Sequence, residues 1–216
     1  MDETKKEALL EAALDEFINN TYDEASLNNI LKKVNMSKGA FYYRFKNKKE
    51  LYLYLCEKVQ KEKLEYINKW LIDQDIDYNN LSIFELLHLQ GRAGFEFGEK
   101  YIKYLKLGQR FMSEENPEIK KYIYEKIKNT SENVFDPIIE RSLARGELRD
   151  DFSKSFIKKI LYHSMFNYTN ILLDDYEALS LKEQLESFHH FIDFLKNGLS
   201  KKEGSSIGIH KGRKSE

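Results

Sequence analysis

Apolar residues recur at helical spacing along most of the chain. Ala8, Leu9, Ala12, Ala13, Phe17 and Ile18 mark one face of a first helix that ends near Asn19 and Asn20. Glu7, Glu11, Asp15 and Glu16 lie mostly opposite. A short loop over 21–25 leads to Ser26, which is placed to cap a second helix holding Leu27, Ile30, Leu31 and Val34. Asn35 follows, and Asn is the best choice after Gly for the positive φ of a tight turn. Met36 is expected to pack inward. Ser37 caps a third helix in which Phe41 and Phe45, four residues apart, face the core. Lys38, Tyr42, Tyr43 and Arg44 then project elsewhere.

The pattern continues in longer segments. Leu51, Leu55, Val59, Leu64 and Ile67 predict a helix from Lys48 to about Ile72. After a loop over 73–80, two helices span 81–98 and 101–112, broken near Glu99. Asn116 and Pro117 suit the start of another, which runs through Ile119, Ile123, Ile127 and Val134 to Leu143 and holds Pro137, an expected kink. Gly146 to Asp151 is a break, and the last two helices cover 153–173 and 181–199. No alternating strand pattern competes. The expected fold class is all-α, with about nine helices. The polar tail over 201–216, with its glycines and serines, predicts disorder.

Composition narrows the function classes. The formal net charge is -1, so bulk charge does not point to nucleic acid. Local charge does. Between Glu24 and Glu50 no acidic residue occurs, while Lys32, Lys33, Lys38, Arg44, Lys46, Lys48 and Lys49 all fall inside. Cys56 is the single cysteine, which excludes an internal disulfide and a multi-cysteine metal site and fits a cytoplasmic protein. No signal peptide and no apolar run near the ~18 residues of a membrane span is found. The search for catalytic spacing (paired Cys/His, a phosphate-cradling Gly loop, HExxH) is empty, so no enzyme and no cofactor are expected.

Two short helices joined by a turn, the second followed by a basic exit, suit the major groove of DNA. Ser37, Lys38 and the Gly39 backbone sit where a helix N-terminus favours phosphate. Gly39 and Ala40 are small enough for close approach. Tyr42 can stack on sugar and donate to phosphate, and Tyr43 can reach phosphate or a base edge. Arg44 can read guanine bidentately or grip phosphate. Asn28 could pair with adenine, and Lys46 and Lys48 suit a flanking phosphate. Each of these residues alone reads better as a solvated face or core. Their order within one window carries the DNA reading.

That window resembles the TetR family of bacterial transcription regulators. Ile30, the run Met36-Ser37-Lys38-Gly39-Ala40-Phe41-Tyr42-Tyr43-Arg44-Phe45 and the run Lys46-Asn47-Lys48-Lys49-Glu50-Leu51 match the family's pattern, over roughly the first quarter of the chain. Asn35, Leu31 and Ala40 depart from its usual Gly, Ala and Thr. The resemblance implies phosphate contacts at Tyr42 and Lys48 and groove-side roles for Lys38, Tyr43 and Arg44. It implies a helix-turn-helix domain over 1–47 and a helical effector-binding and dimerisation domain over 48–200.

The body supplies two further expectations. Leu181, Leu185, Phe188, Ile192, Leu195 and Leu199 repeat at coiled-coil-like spacing, and with Ile157, Leu161 and Tyr168 they suggest a homodimer face. The alternative is burial against the same chain. Aromatic walls with scattered polar groups suggest a pocket for a small hydrophobic or aromatic effector, with His88, Arg92, Phe95, Tyr104, Arg110, His163, Phe166 and Asn167 as candidate lining. The combined expectation is a ligand-responsive repressor on a palindromic operator. An architectural helix-turn-helix binder without effector is the alternative, and a helical enzyme a more distant one.

Overall fold

The computed structural model describes residues 3–77, 80–172 and 179–200 and, within these, all side chains but those of 127–135, 166, 167 and 169–172. The expected tail over 201–216 lies outside the described residues, as do the side chains of Phe166 and Asn167. Among the described residues there are nine helices: α1 (Glu3–Asn19), α2 (Leu27–Lys33), α3 (Lys38–Tyr42), α4 (Lys48–Asp73), α5 (Ile83–Lys100), α6 (Ile102–Met112), α7 (Pro117–Ala144), α8 (Lys154–Leu172) and α9 (Leu181–Leu199). The fold is all-α, as the periodicity requires.

Side chains set most of the helix starts. Ser26 accepts from the Asn29 N–H and Ser37 from the Ala40 N–H. Asn47 opens α4 by accepting from Glu50, and Asn116 opens α7 by accepting from Glu118 and Ile119. Ser82 with Glu85, and Ser180 with Glu183, form reciprocal capping boxes. Asn35 sits at φ 49, so the α2–α3 turn uses the left-handed conformation that asparagine tolerates. After α7 the chain reverses at Gly146, φ 67, and Leu148 then pairs with Ser200 beyond α9.

The head formed by α1–α3 has no separate core. Leu9, Ala13, Phe17, Ile30, Leu31, Phe41 and Phe45 pack in one cluster with Leu51 and Leu55 of α4, Leu107 of α6 and Ile119 of α7. Leu31, larger than the family's usual alanine, is fully accommodated there. A second cluster joins α5, the end of α7, α8 and α9 through Ile83, Phe84, Ile139, Ile157, Leu161, Phe188 and Ile192. Between them lies a small cluster of Ile67, Leu71 and Ala93, where α4 crosses α5.

Close approach of α5 to α9 depends on Gly91. A Cβ there would stand 2.2 Å from Phe188 Cε1 and 2.6 Å from its Cδ1. The ring is held in the second core, so it cannot swing away freely. Gly91→Ala is expected to cost about 1–3 kcal/mol through overpacking. At about 2–4 °C per kcal/mol for a chain of this size, a thermal melt measures it directly.

Candidate DNA-binding face

The α2–α3 pair is anchored from below. Phe41 and Phe45 are fully buried, and this fixes the opposite side of α3 outward. Tyr42 is 54% and Tyr43 88% exposed, although large aromatic rings are normally covered. Asn28, Ser37, Lys38, Gly39, Ala40, Arg44 and Lys46 are exposed as well. The structure therefore brings nearly all the predicted DNA-contacting residues to one part of the head. The side chains of Lys38, Arg44 and Lys46 form no ion pair among the described residues, so their charge is free for a polyanion. Ser37 is partly committed, because its hydroxyl oxygen accepts the Ala40 N–H at 3.2 Å; its proton remains available.

Lys48 is placed differently. Its ammonium donates to the carbonyls of Tyr22 at 2.5 Å, Ala25 at 2.8 Å and Asp23 at 3.3 Å, and lies 4.5 Å from the centre of the Tyr22 ring. All three protons are used inside the protein. Burial pushes its pKa down, opposed by Asp23, Glu114 and Glu16. The expected phosphate contact is thus corrected: Lys48 ties the α1–α2 loop to the start of α4. Spacing alone placed it at a helix start beside other lysines and gave no sign of the loop carbonyls.

Glu16 was expected on the polar side of α1 and is instead buried. Its carboxylate accepts the Ser26 N–H at 2.9 Å and the Asn29 amide at 3.4 Å, so α1 holds the first turn of α2. The head is likewise held to the body. Lys103 of α6 pairs with Asp15 at 2.8 Å and with Glu11, and both acids raise its pKa. Lys49 meets Glu118 at 2.7 Å and lowers that carboxyl's pKa. Asn116 donates to Asp23 at 2.9 Å.

The predicted effector-site residues do not gather in one place. His88 faces α9, with its Nδ1 2.6 Å from His189 Nδ1 and its Nε2 3.2 Å from Asp193. Burial, then His88, push the His189 pKa down. Arg92 is exposed, bonded to Glu96 at 3.2 Å and set over the Trp70 ring. Phe95 meets Phe188 in the second core, and Tyr104 packs against the head cluster. Arg110 and His163 are exposed.

The expected dimer face is largely spent within the chain. Ile157, Leu161, Phe188, Ile192 and Leu195 are buried in the second core, and Tyr168 packs on Phe188 and Phe191. Leu181 and Leu185 are half-buried. Periodicity identified the apolar stripe of α9 but could not say which helix fills it, and here it is the chain's own. The face α9 leaves open carries Glu186, His190, Asn197 and Phe194, which is 73% exposed.

The apolar stripe of α4 was expected to continue through Leu64. That residue is instead 42% exposed, and its neighbour Lys63, exposed as well, extends along α5 beside Gly94.

A helical head with a rigidly seated α3 and an exposed aromatic and basic face defines a helix-turn-helix DNA-binding protein. Residues 9–55 match the family model described as "Bacterial regulatory proteins, tetR family". The chain is 29% identical over 167 residues to the biofilm operon icaADBC HTH-type negative transcriptional regulator IcaR of Staphylococcus aureus, covering 70% of this chain and 87% of that protein. Its fold matches a TetR family regulator from Chloroflexus aurantiacus with TM-score 0.63 and 22% identity, over 94% and 96% of the two chains. It also matches the regulator FadR of Bacillus subtilis in complex with stearoyl-CoA, with TM-score 0.67 and 17% identity over 89% and 98%. The head is thus similar to the tetR family of regulatory proteins over residues 9–55, and the fold of the chain is that of the regulators it matches. No helix among the described residues is long and apolar enough to cross a membrane.

Proposed function

We propose that this protein is a homodimeric, ligand-responsive repressor whose paired α3 helices enter successive major grooves of a palindromic operator. The observation that carries it is the outward face of α3, where Lys38, Tyr42, Tyr43 and Arg44 stand free above a fully buried Phe41. Supporting it, IcaR is named as a negative regulator, and FadR is named in complex with stearoyl-CoA. In this reading an effector in the helical body changes how α6 bears on α1 through Lys103, Glu11 and Asp15, and so respaces the two heads. Typical coupling of this kind is about 1–3 kcal/mol, or roughly 5–150-fold in operator affinity.

Selection of binding sites from random duplex DNA tests the assignment. Enrichment of one inverted repeat supports a regulator, whereas broad recovery without a consensus would point to an architectural binder. The dimer is placed on the open face of α9, where a large exposed ring on a polar surface marks an interaction site. Phe194→Asp is expected to shift the protein from dimer to monomer in sedimentation velocity, with the melting temperature of the protomer core little changed.

A further inference from the structure

Two histidines face each other across the α5–α9 seam, and DNA binding uses neither. His88 Nδ1 stands 2.6 Å from His189 Nδ1, and the rings overlap with centroids 4.8 Å apart and planes inclined by 32°. Both side chains are half-buried. His189 follows Phe188, whose ring fills the space opposite Gly91 and lies 6.2 Å from the His189 ring. The pair therefore sits beside the close crossing that Gly91 permits.

The contacts fix where the hydrogens go. His88 Nε2 lies 3.2 Å from a carboxylate oxygen of Asp193, which only accepts, so Nε2 carries a hydrogen. In a neutral His88 the Nδ1 is then bare and accepts the Nδ1–H of His189. Nε2 of His189 is the ring nitrogen left open. A first added proton goes there, and the bond between the rings survives with a cationic donor. A second proton has no place except His88 Nδ1, where that bond is made. Taking it breaks the bond and sets two imidazolium rings face to face.

The surroundings offset one positive charge and no more. Asp193 on α9 is the carboxylate in contact with the pair, while Arg92 on α5 and His190 on α9 add positive charge beside it. On α5, Glu96 is held by Arg92 and by Trp70 Nε1, and Glu85 by Ser82. The helices packed behind, α4 and α8, reach the pair through uncharged rings, Trp70 under Arg92 and Tyr168 against Phe188. Burial, followed by His88 itself, holds the His189 pKa below the ordinary histidine value. A histidine depressed in this way contributes stability that is whole above about pH 6.5 and is lost as the pH falls below it.

We propose that the His88–His189 pair is a proton-operated latch, which holds α5 to α9 while it carries at most one added proton and releases the seam when it carries two. Acid is thereby an input to the helical body in its own right. The latch requires neither an effector nor a dimer.

Hydrogen exchange of the full-length protein, read by mass spectrometry in buffer containing EDTA and corrected for intrinsic rates, tests the latch. Between about pH 7.5 and about pH 5, peptides of α5 and α9 are expected to lose about 10–30-fold in protection, the factor by which acid favours a released histidine over one kept from its proton. Peptides of α1 and α2 should keep their protection over the same range. His88→Gln and His189→Gln cannot hold two charges, and each should show less than about a twofold change in α5 and α9. Should either variant fail to fold, the imidazole resonances of the parent decide. Their NMR titration should show two coupled steps for the pair, the second below about pH 5.5. Unchanged protection of α5 and α9 in the parent, an equal loss in both variants, or two independent titrations at the ordinary value overturns the proposal.

Discussion

Replacing Tyr42 and Arg44 together by alanine is expected to abolish operator-specific binding while leaving the fold intact. Both side chains lie outside the core, and the helix that carries them is seated by Phe41 and Phe45. Their loss removes contacts to DNA and not packing within the head. A bidentate arginine contact to guanine carries about 1–3 kcal/mol of discrimination, so Arg44→Ala alone is expected to weaken the selected operator by roughly 5–150-fold. Tyr42→Ala adds the loss of a ring on the sugar and a hydroxyl on phosphate. The affinity for scrambled DNA should fall far less, because it rests on the lysines. Lys38→Ala supplies the contrast: it should lower operator and scrambled DNA alike and reduce the slope of log K against log salt by about 0.9, the signature of one phosphate contact. Fluorescence anisotropy over a salt series measures all of these. Undiminished operator binding by the double variant would remove the α3 face from DNA recognition.

Why the head was legible and the body less so follows from what each is made of. Ser26, Asn35 and Ser37 are local devices: each acts on a backbone group within a few residues, so the sequence holds the whole interaction. Phe41 and Phe45 state their face by spacing alone. The helices of the body were legible for the same reason, down to the start of α7 at Pro117 and the span of α9. The uses of their faces were not. The α9 stripe that looked like a partner surface is filled by α5 and α8, and only the buried fates of Phe188 and Ile192 reveal it. Glu16 reads as a surface acid until α2 is folded onto it, when its carboxylate becomes the acceptor for Ser26 and Asn29. Leu64 reads as part of the apolar stripe of α4, yet it is 42% exposed. In each case the missing information was the identity of the element across the interface, often many tens of residues away in the chain.

Lys48 shows the same point with the clearest consequence. If it were a phosphate contact, Lys48→Met would leave the melting temperature unchanged and reduce the salt slope of DNA binding by about 0.9. The structure leads to a different outcome. Methionine keeps the apolar stem but removes the ammonium that joins the carbonyls of Tyr22, Asp23 and Ala25 to the first turn of α4. Hydrogen bonds to a charged group contribute about 1.5–3 kcal/mol each, and water can replace part of that for a loop that is only partly covered. A net loss of about 2 kcal/mol is therefore expected, a fall of about 4–8 °C in Tm for a chain of this length. DNA affinity should fall with it, since the loop carries α2 and α2 braces α3, but the salt slope should stay near its parental value. Lys48→Arg is not a rescue, because a planar guanidinium cannot point its donors at three carbonyls gathered around one tetrahedral ammonium. An unchanged Tm with a reduced salt slope in Lys48→Met would return this lysine to the DNA-contacting surface.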